Sequence, residues 1–202
     1  DYIDYYQMHW PVENAPVEET MEALIRLKEQ GKIRAAGVCN FSASQLVEAE
    51  KTIRIEANQV PYSMVRRDIE EDVVPYVLEH NKGVIAYSPM QRGLLTGKYY
   101  PDTRLPEGDN RKHSRYFRSE NIRKVNEFLE KIKPIAEAHE ASLAQIALSW
   151  TIHQPGVIAT LAGSRTTKQI EDNARAADIQ LSDQELETIN YHLARLNLDL
   201  DS

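Results

Sequence analysis

Five short apolar runs in this sequence each end on a group able to do chemistry. "DYIDYYQM" leads to His9, "IRAAGV" to Cys39–Asn40 and "IEA" to Asn58–Gln59; "GVIA" leads to Tyr87–Ser88, and "VIATLA" to Gly163–Ser164–Arg165. An imidazole is a candidate catalyst, and the amides, the hydroxyl and the phenol are hydrogen-bonding groups. Ser164–Arg165 precedes a helical stretch, where free N–H groups favour a phosphate and an arginine fork adds further donors.

Each residue also has an ordinary structural reading. A strand histidine often rims a core, Asn40 suits a turn before a helix, and Gln59 could satisfy a loop carbonyl. Tyr87 could be core, Cys39 reads as a small buried hydrophobe, and Arg165 as a solvated cation. The ordinary readings do not explain why all five runs end in the same way.

Other chemistries find no support. His80, His113, His139, His153 and His192 lack metal-ligand spacing, and His139–Glu140 lacks the second histidine of a zinc helix. No metal site is expected. There is no GxGxxG, no GxxxxGK[ST] and no GxSxG. The net charge is −7 and no basic run is present, which argues against nucleic acid and anionic membranes as partners. A single cysteine cannot form an internal disulfide, so a reducing cytoplasm is the expected location. No apolar segment has the length of a membrane span, and none resembles a cleavable signal. With 202 residues, 42% of them hydrophobic, residues 1–202 are expected to form a single domain with a sizeable core.

The elements that position these groups follow from periodicity. Strands are predicted at Tyr2–Met8, "IRAAGV", "IEANQV", "GVIAYSP" and "VIATLAG". Helices are predicted in "PVEETMEALIRLKEQGK" (stopped by Gly31), "FSASQLVEAEKT" (capped by Ser42 or Ser44) and "IEEDVVPYVLEHNKG". Further helices fall in "NIRKVNEFLEKIKPIAEAH", "SLAQIALSWTIHQ", "TTKQIEDNARAA" and "LSDQELETINYHLAR", the last with a Ser182/Glu185 capping box. Residues 88 to about 120 carry no period and suit a flap after a strand. Short apolar strands alternating with amphipathic helices predict an α/β fold with a parallel sheet. Five βα units fit an open doubly wound sheet or part of a (β/α)8 TIM barrel, whose chemistry sits at the carboxyl ends of its strands. A whole barrel needs ~250 residues, so about three further βα units are expected before Asp1.

At these same residues the sequence resembles the aldo-keto reductases, (β/α)8 enzymes that bind a nicotinamide cofactor without a Rossmann motif. "DYIDYYQMHWP", "GKIRAAGVCNFS", "EANQVPYS", "VIAYSPMQRGLLTGKY" and "GSRTTKQIEDN" carry the resemblance, in the family's order and spacing. The fourth block and Gly163 look most like the bacterial and potassium-channel β-subunit-like branches. The resemblance implies that the chain carries the last five βα units, from the fourth barrel strand onward, plus a C-terminal helix. It implies that His9 is the catalytic histidine, orienting the carbonyl of an aldehyde or ketone. The family's Asp, proton-donating Tyr and Lys would lie upstream of Asp1.

For the cofactor, the resemblance implies that Asn40 and Gln59 hold the nicotinamide carboxamide and that Tyr87 stacks on the ring. Ser88, Met90, Arg92 and Gly93 would line the pyrophosphate. Gly163, Ser164, Arg165 and Gln169 would form the 2′-phosphate end, with Asp172 and Asn173 at the adenine, and Arg165 favouring NADPH over NADH. Two residues depart from the family pattern: Cys39 stands where serine is usual, and Asp172 where glutamate is usual. The expected partner is a small carbonyl substrate. The competing expectations are a nucleotide-sensing regulatory subunit on the same scaffold and an unrelated barrel lyase or aldolase. The latter would need a strand-end lysine or paired carboxylates, which the five strand ends do not supply.

Overall fold

A computed structural model describes residues 1–12 and 15–201. They form strands β1 (Ile3–Met8), β2 (Ile33–Cys39), β3 (Ala57–Pro61), β4 (Gly83–Tyr87) and β5 (Val157–Leu161). The helices are α1 (Val17–Glu29), α2 (Ala43–Glu50), α3 (Val73–Glu79), α4 (Ser119–Ala138), α5 (Leu143–Ile152), α6 (Thr167–Ala174) and α7 (Asp183–Leu193). Every strand pairing is parallel, and the sheet order is β1-β2-β3-β4-β5. This order decides between the two architectures. A doubly wound sheet reverses direction at a switch point, whereas a barrel adds each strand beside the last.

Local chemistry sets the helix ends. Reciprocal capping boxes open α2 (Ser42 with Gln45), α5 (Ser142 with Gln145) and α7 (Ser182 with Glu185), each satisfying two otherwise unpaired donors. Gly31, with φ of 68°, lets the chain turn after α1. The helix expected in "IEEDVVPYVLEHNKG" is shorter than its sequence pattern. A 3-10 turn at Asp68–Glu70 comes first, and α3 then starts at Val73, whose N–H donates to Asp72 at 2.7 Å. That start places Pro75 in the first turn, where its missing N–H removes no helical bond.

The chain divides into two compact units. The first comprises residues 1–62, 67–87 and 154–161 and holds all five strands with α1 to α3. Met21, Leu24, Val38, Leu46, Val60, Val77 and Val84 are buried in it, with α1 against β2 and α3 against β4. Strand residues alternate between faces, and Tyr5, Gln7, Gly37 and Cys39 share one of them. Tyr5 crosses over β2 and donates its hydroxyl to the Ala57 carbonyl of β3 at 3.0 Å. Only glycine permits this crossing, since a Cβ on Gly37 would lie 1.7 Å from the Tyr5 oxygen.

The second unit comprises residues 63–66, 88–153 and 162 onward. The helical spacing of Ile122, Val125, Phe128, Leu129 and Ile132 gives α4 a buried face, with Ile146 and Trp150 of α5 and Ile189 and Leu193 of α7 also buried. The Trp150 indole N–H donates to Asn190 at 3.1 Å. The aperiodic segment after β4 is organised by 3-10 turns at Gln91–Thr96, Asn110–His113 and Arg115–Phe117. No helix among the described residues is long and apolar enough to cross a membrane.

Candidate functional site

In the first unit the carboxyl ends of four strands meet at Asn40. It follows β2 directly with φ of 62°, a left-handed conformation that asparagine tolerates better than most residues. Its side-chain Nδ2 donates to the His9 carbonyl just beyond β1, at 3.2 Å. Its Oδ1 accepts from the Tyr87 hydroxyl at the end of β4, at 2.9 Å. Its backbone N–H donates to the Gln59 carbonyl on β3, also at 2.9 Å. The structure therefore brings His9, Asn40, Gln59 and Tyr87 together. The His9 ring is exposed, 5.9 Å from Trp10 between centroids, and the Gln59 and Tyr87 side chains are half-buried.

Cys39 is buried, and its thiol donates to the Gln7 Oε1 at 3.0 Å. Burial pushes the thiol pKa up, so it stays a neutral donor directed at β1. Burial, with smaller contributions from Cys39 and Glu56 outweighing the hydrogen bond to Ala57, also raises the Tyr5 phenol well above the usual tyrosine range. Tyr5 is thus a brace rather than an acid. Asn58 faces the other way, donating from Nδ2 to the Phe41 carbonyl at 2.7 Å.

The second unit holds the other candidate residues. Ser88, Gln91, Arg92 and Gly93 have φ of 56°, 46°, 56° and 95°. Met90 anchors the turn, its carbonyl accepting from Gly93 at 3.0 Å and Leu95 at 3.2 Å. Arg92 is exposed. After β5, Ser164 accepts a hydrogen bond from Asn173 at 2.9 Å, and Arg165 presents an exposed side chain. The N–H groups at the start of α6 are less open than the sequence implies. The Arg165 N–H donates to Gln169 Oε1 at 2.7 Å, and the Gln169 N–H donates to Thr166 at 3.2 Å. Asp172 gives its carbonyl to Gln145 at 2.8 Å, with its carboxylate 4.0 Å from Arg175.

The aldo/keto reductase family model matches residues 1–194. The chain belongs to that family. A NADH-specific methylglyoxal reductase of Escherichia coli is 34% identical over 186 residues, covering 91% of this chain and 56% of that protein. An aldo-keto reductase of Bacillus subtilis is 32% identical over 191 residues, covering 94% of this chain and 58% of that protein. The structure of a glycerol dehydrogenase from Gluconobacter oxydans superposes with a TM-score of 0.91 at 33% identity, over all of this chain and 62% of that one. The chain thus spans little more than half the length of these relatives, and its five parallel strands are part of a (β/α)8 barrel.

For an aldo/keto reductase, the donor set is appropriate to a nicotinamide nucleotide. Asn40 keeps a second Nδ2 hydrogen and a second Oδ1 lone pair beyond its two observed bonds, so its amide can still meet another amide. No group of three or more metal-ligating side chains occurs among the described residues. Gln7 was missed in the sequence. Its signal was its place two residues before His9, on the same strand face.

Proposed function

We propose that the protein carrying this chain reduces small aldehydes or ketones to alcohols and prefers NADPH. Family membership supplies the class of reaction. The observation that carries the reading is the Asn40 junction, which ties the backbones of His9 and Gln59 and the Tyr87 phenol to one asparagine at adjoining strand ends. His9 orients the substrate carbonyl through its exposed ring, and its backbone is held by Asn40. Asn40 and Gln59 hold the carboxamide, and Tyr87 offers its ring as the stacking face. Ser88, Met90, Arg92 and Gly93 take the pyrophosphate. Gly163, Ser164, Arg165 and Gln169 take the 2′-phosphate, with Asp172 and Asn173 at the adenine. A bound nicotinamide supplies the hydride.

Neither Tyr5 nor Tyr87 is assigned as the donor of the proton to the developing alkoxide, since their hydroxyls already donate to Ala57 and Asn40. Arg165 favours NADPH as a fork for a dianion. The name of the Escherichia coli relative points to the other cofactor and to a small dicarbonyl. The acidic, single-cysteine composition fits one barrel domain in the cytoplasm, without nucleic-acid or membrane partners.

The test is steady-state reduction of a reactive aldehyde by the full-length protein with each cofactor. The expected result is turnover with a lower KM for NADPH than for NADH. In His9→Ala, kcat should fall while NADPH binding persists. Tight nucleotide binding without turnover of any carbonyl would refute the reductase reading and favour the regulatory one.

A further inference from the structure

Three of the four left-handed residues between Ser88 and Gly93 carry a Cβ, a conformation that persists only where the surroundings hold it. The irregular segment itself supplies the hold. Arg111 donates from Nη1 to the Arg92 carbonyl at 3.3 Å and to the Tyr99 hydroxyl. Its Nε reaches the two Asp109 oxygens at 2.9 and 3.2 Å, and its Nη2 reaches one of them at 2.5 Å. Both side chains are only 17% exposed, unlike an ordinary surface pair. The Tyr99 ring seats against Gly93, where a Cβ would come within 3.2 Å of it. Phe117 packs edge-on against the same ring at 5.3 Å, and Asn126 of α4 donates to the Tyr99 carbonyl at 2.8 Å.

We infer that Arg111, with Asp109 and Tyr99, is a positioning residue for the cofactor's phosphates, clasping the Arg92–Gly93 turn in its binding shape. This role rests on the reading that the turn lines the pyrophosphate. Arg111 acts through the Arg92 carbonyl, and four of its five N–H donors are engaged by Asp109, Arg92 and Tyr99.

Isothermal titration of the full-length protein with NADPH tests this with Arg92→Ala, Arg111→Ala, Arg111→Lys and Tyr99→Phe. Arg111→Ala should raise Kd about tenfold, the scale of one charge-assisted hydrogen bond. Arg111→Lys should recover only part, since a point charge cannot reproduce the fork. Adding Tyr99→Phe to Arg111→Ala should cost nothing more, because the two act as one unit. The KM for NADPH should rise while kcat at saturating cofactor holds, a split that mere loss of folded protein does not give. A lowered melting temperature with unchanged Kd would overturn the positioning role. Should Arg111→Ala not fold, Tyr99→Phe alone decides, with an unchanged Kd counting against the role. If Arg92→Ala weakens binding while Arg111→Ala and Tyr99→Phe do not, only the positioning role fails. If Arg92→Ala is also silent, the pyrophosphate reading fails with it.

Discussion

Replacing Lys82 by methionine should destabilise the protein by about 3 kcal/mol at neutral pH, the lower end of the cost of orphaning one partner of a buried ion pair. Lys82 lies just before β4 with its side chain 4% exposed, paired with Glu50 at the end of α2, itself 16% exposed. The ammonium also donates to the Ile55 carbonyl at 2.9 Å. Without it, Glu50 keeps the Tyr76 hydroxyl at 2.6 Å and the Ile55 N–H at 3.1 Å, which is why the lower end applies. Adding Glu50→Gln should recover about 1–2 kcal/mol by removing the orphaned charge.

The acid dependence carries a sign. Burial alone would raise the Glu50 carboxyl pKa, but Lys82, Tyr76 and the Ile55 N–H together hold it below the usual range. A depressed folded pKa stabilises fully above the unfolded value of about 4.3, and that contribution is lost as pH falls through the folded pKa. In Lys82→Met the ammonium no longer lowers the Glu50 pKa, so Glu50 takes up its proton at a higher pH than in the parent and the charge disappears. Urea unfolding at pH 7 and pH 4 should therefore show a gap between variant and parent that narrows in acid. A variant within ~1 kcal/mol of the parent at pH 7, or a gap that stays constant, would refute the reasoning.

Three further outcomes are expected. Arg165→Ala should weaken NADPH binding by about 1.5–3 kcal/mol and leave NADH nearly unchanged, and equal losses in a titration would remove Arg165 from the 2′-phosphate. Tyr87→Phe should keep the stereochemistry of deuteride transfer while freeing Asn40; Tyr87→Ala should lose both affinity and facial selectivity, and unchanged selectivity there would reject stacking. Gly37→Ala should cost about 1–3 kcal/mol in chemical unfolding by forcing Tyr5 off its path, and a neutral result would show that the ring can move at no cost.

Much of this was legible in the sequence because the signals were local. Ser182 marks a helix start through a partner three residues on, and of the two candidates Ser42 and Ser44 the structure selects Ser42. Strand ends were visible because apolar runs stop abruptly at polar groups. Facing was not legible. Asn58 and Gln59 are adjacent and so face opposite sides of the strand, and the sequence could not say which of the two turns to Phe41. Nor could it foresee that the amide of Asn40 joins His9 to Tyr87, a link spanning 47 residues from Asn40 to Tyr87. The Arg111 clasp was hidden for a similar reason: its partners Arg92 and Tyr99 lie 19 and 12 residues away, in a segment with no repeating pattern.

The Tyr5 crossing gives the sheet a constraint that nearest-neighbour pairing lacks. Backbone ladders tell each strand only where its immediate neighbour lies. A phenol that passes over β2 to a carbonyl of β3 ties alignment across two strand spacings, roughly 9–10 Å. If β2 slid by one residue, Ala36 or Val38 would replace Gly37 beneath the ring, and a methyl or isopropyl group would fill the passage. The same slip would turn Cys39 away from Gln7 and carry Asn40 out of line with His9. In the folded sheet the tyrosine and glycine therefore fit together only in the strand alignment that brings the residues at the far end of the sheet into place.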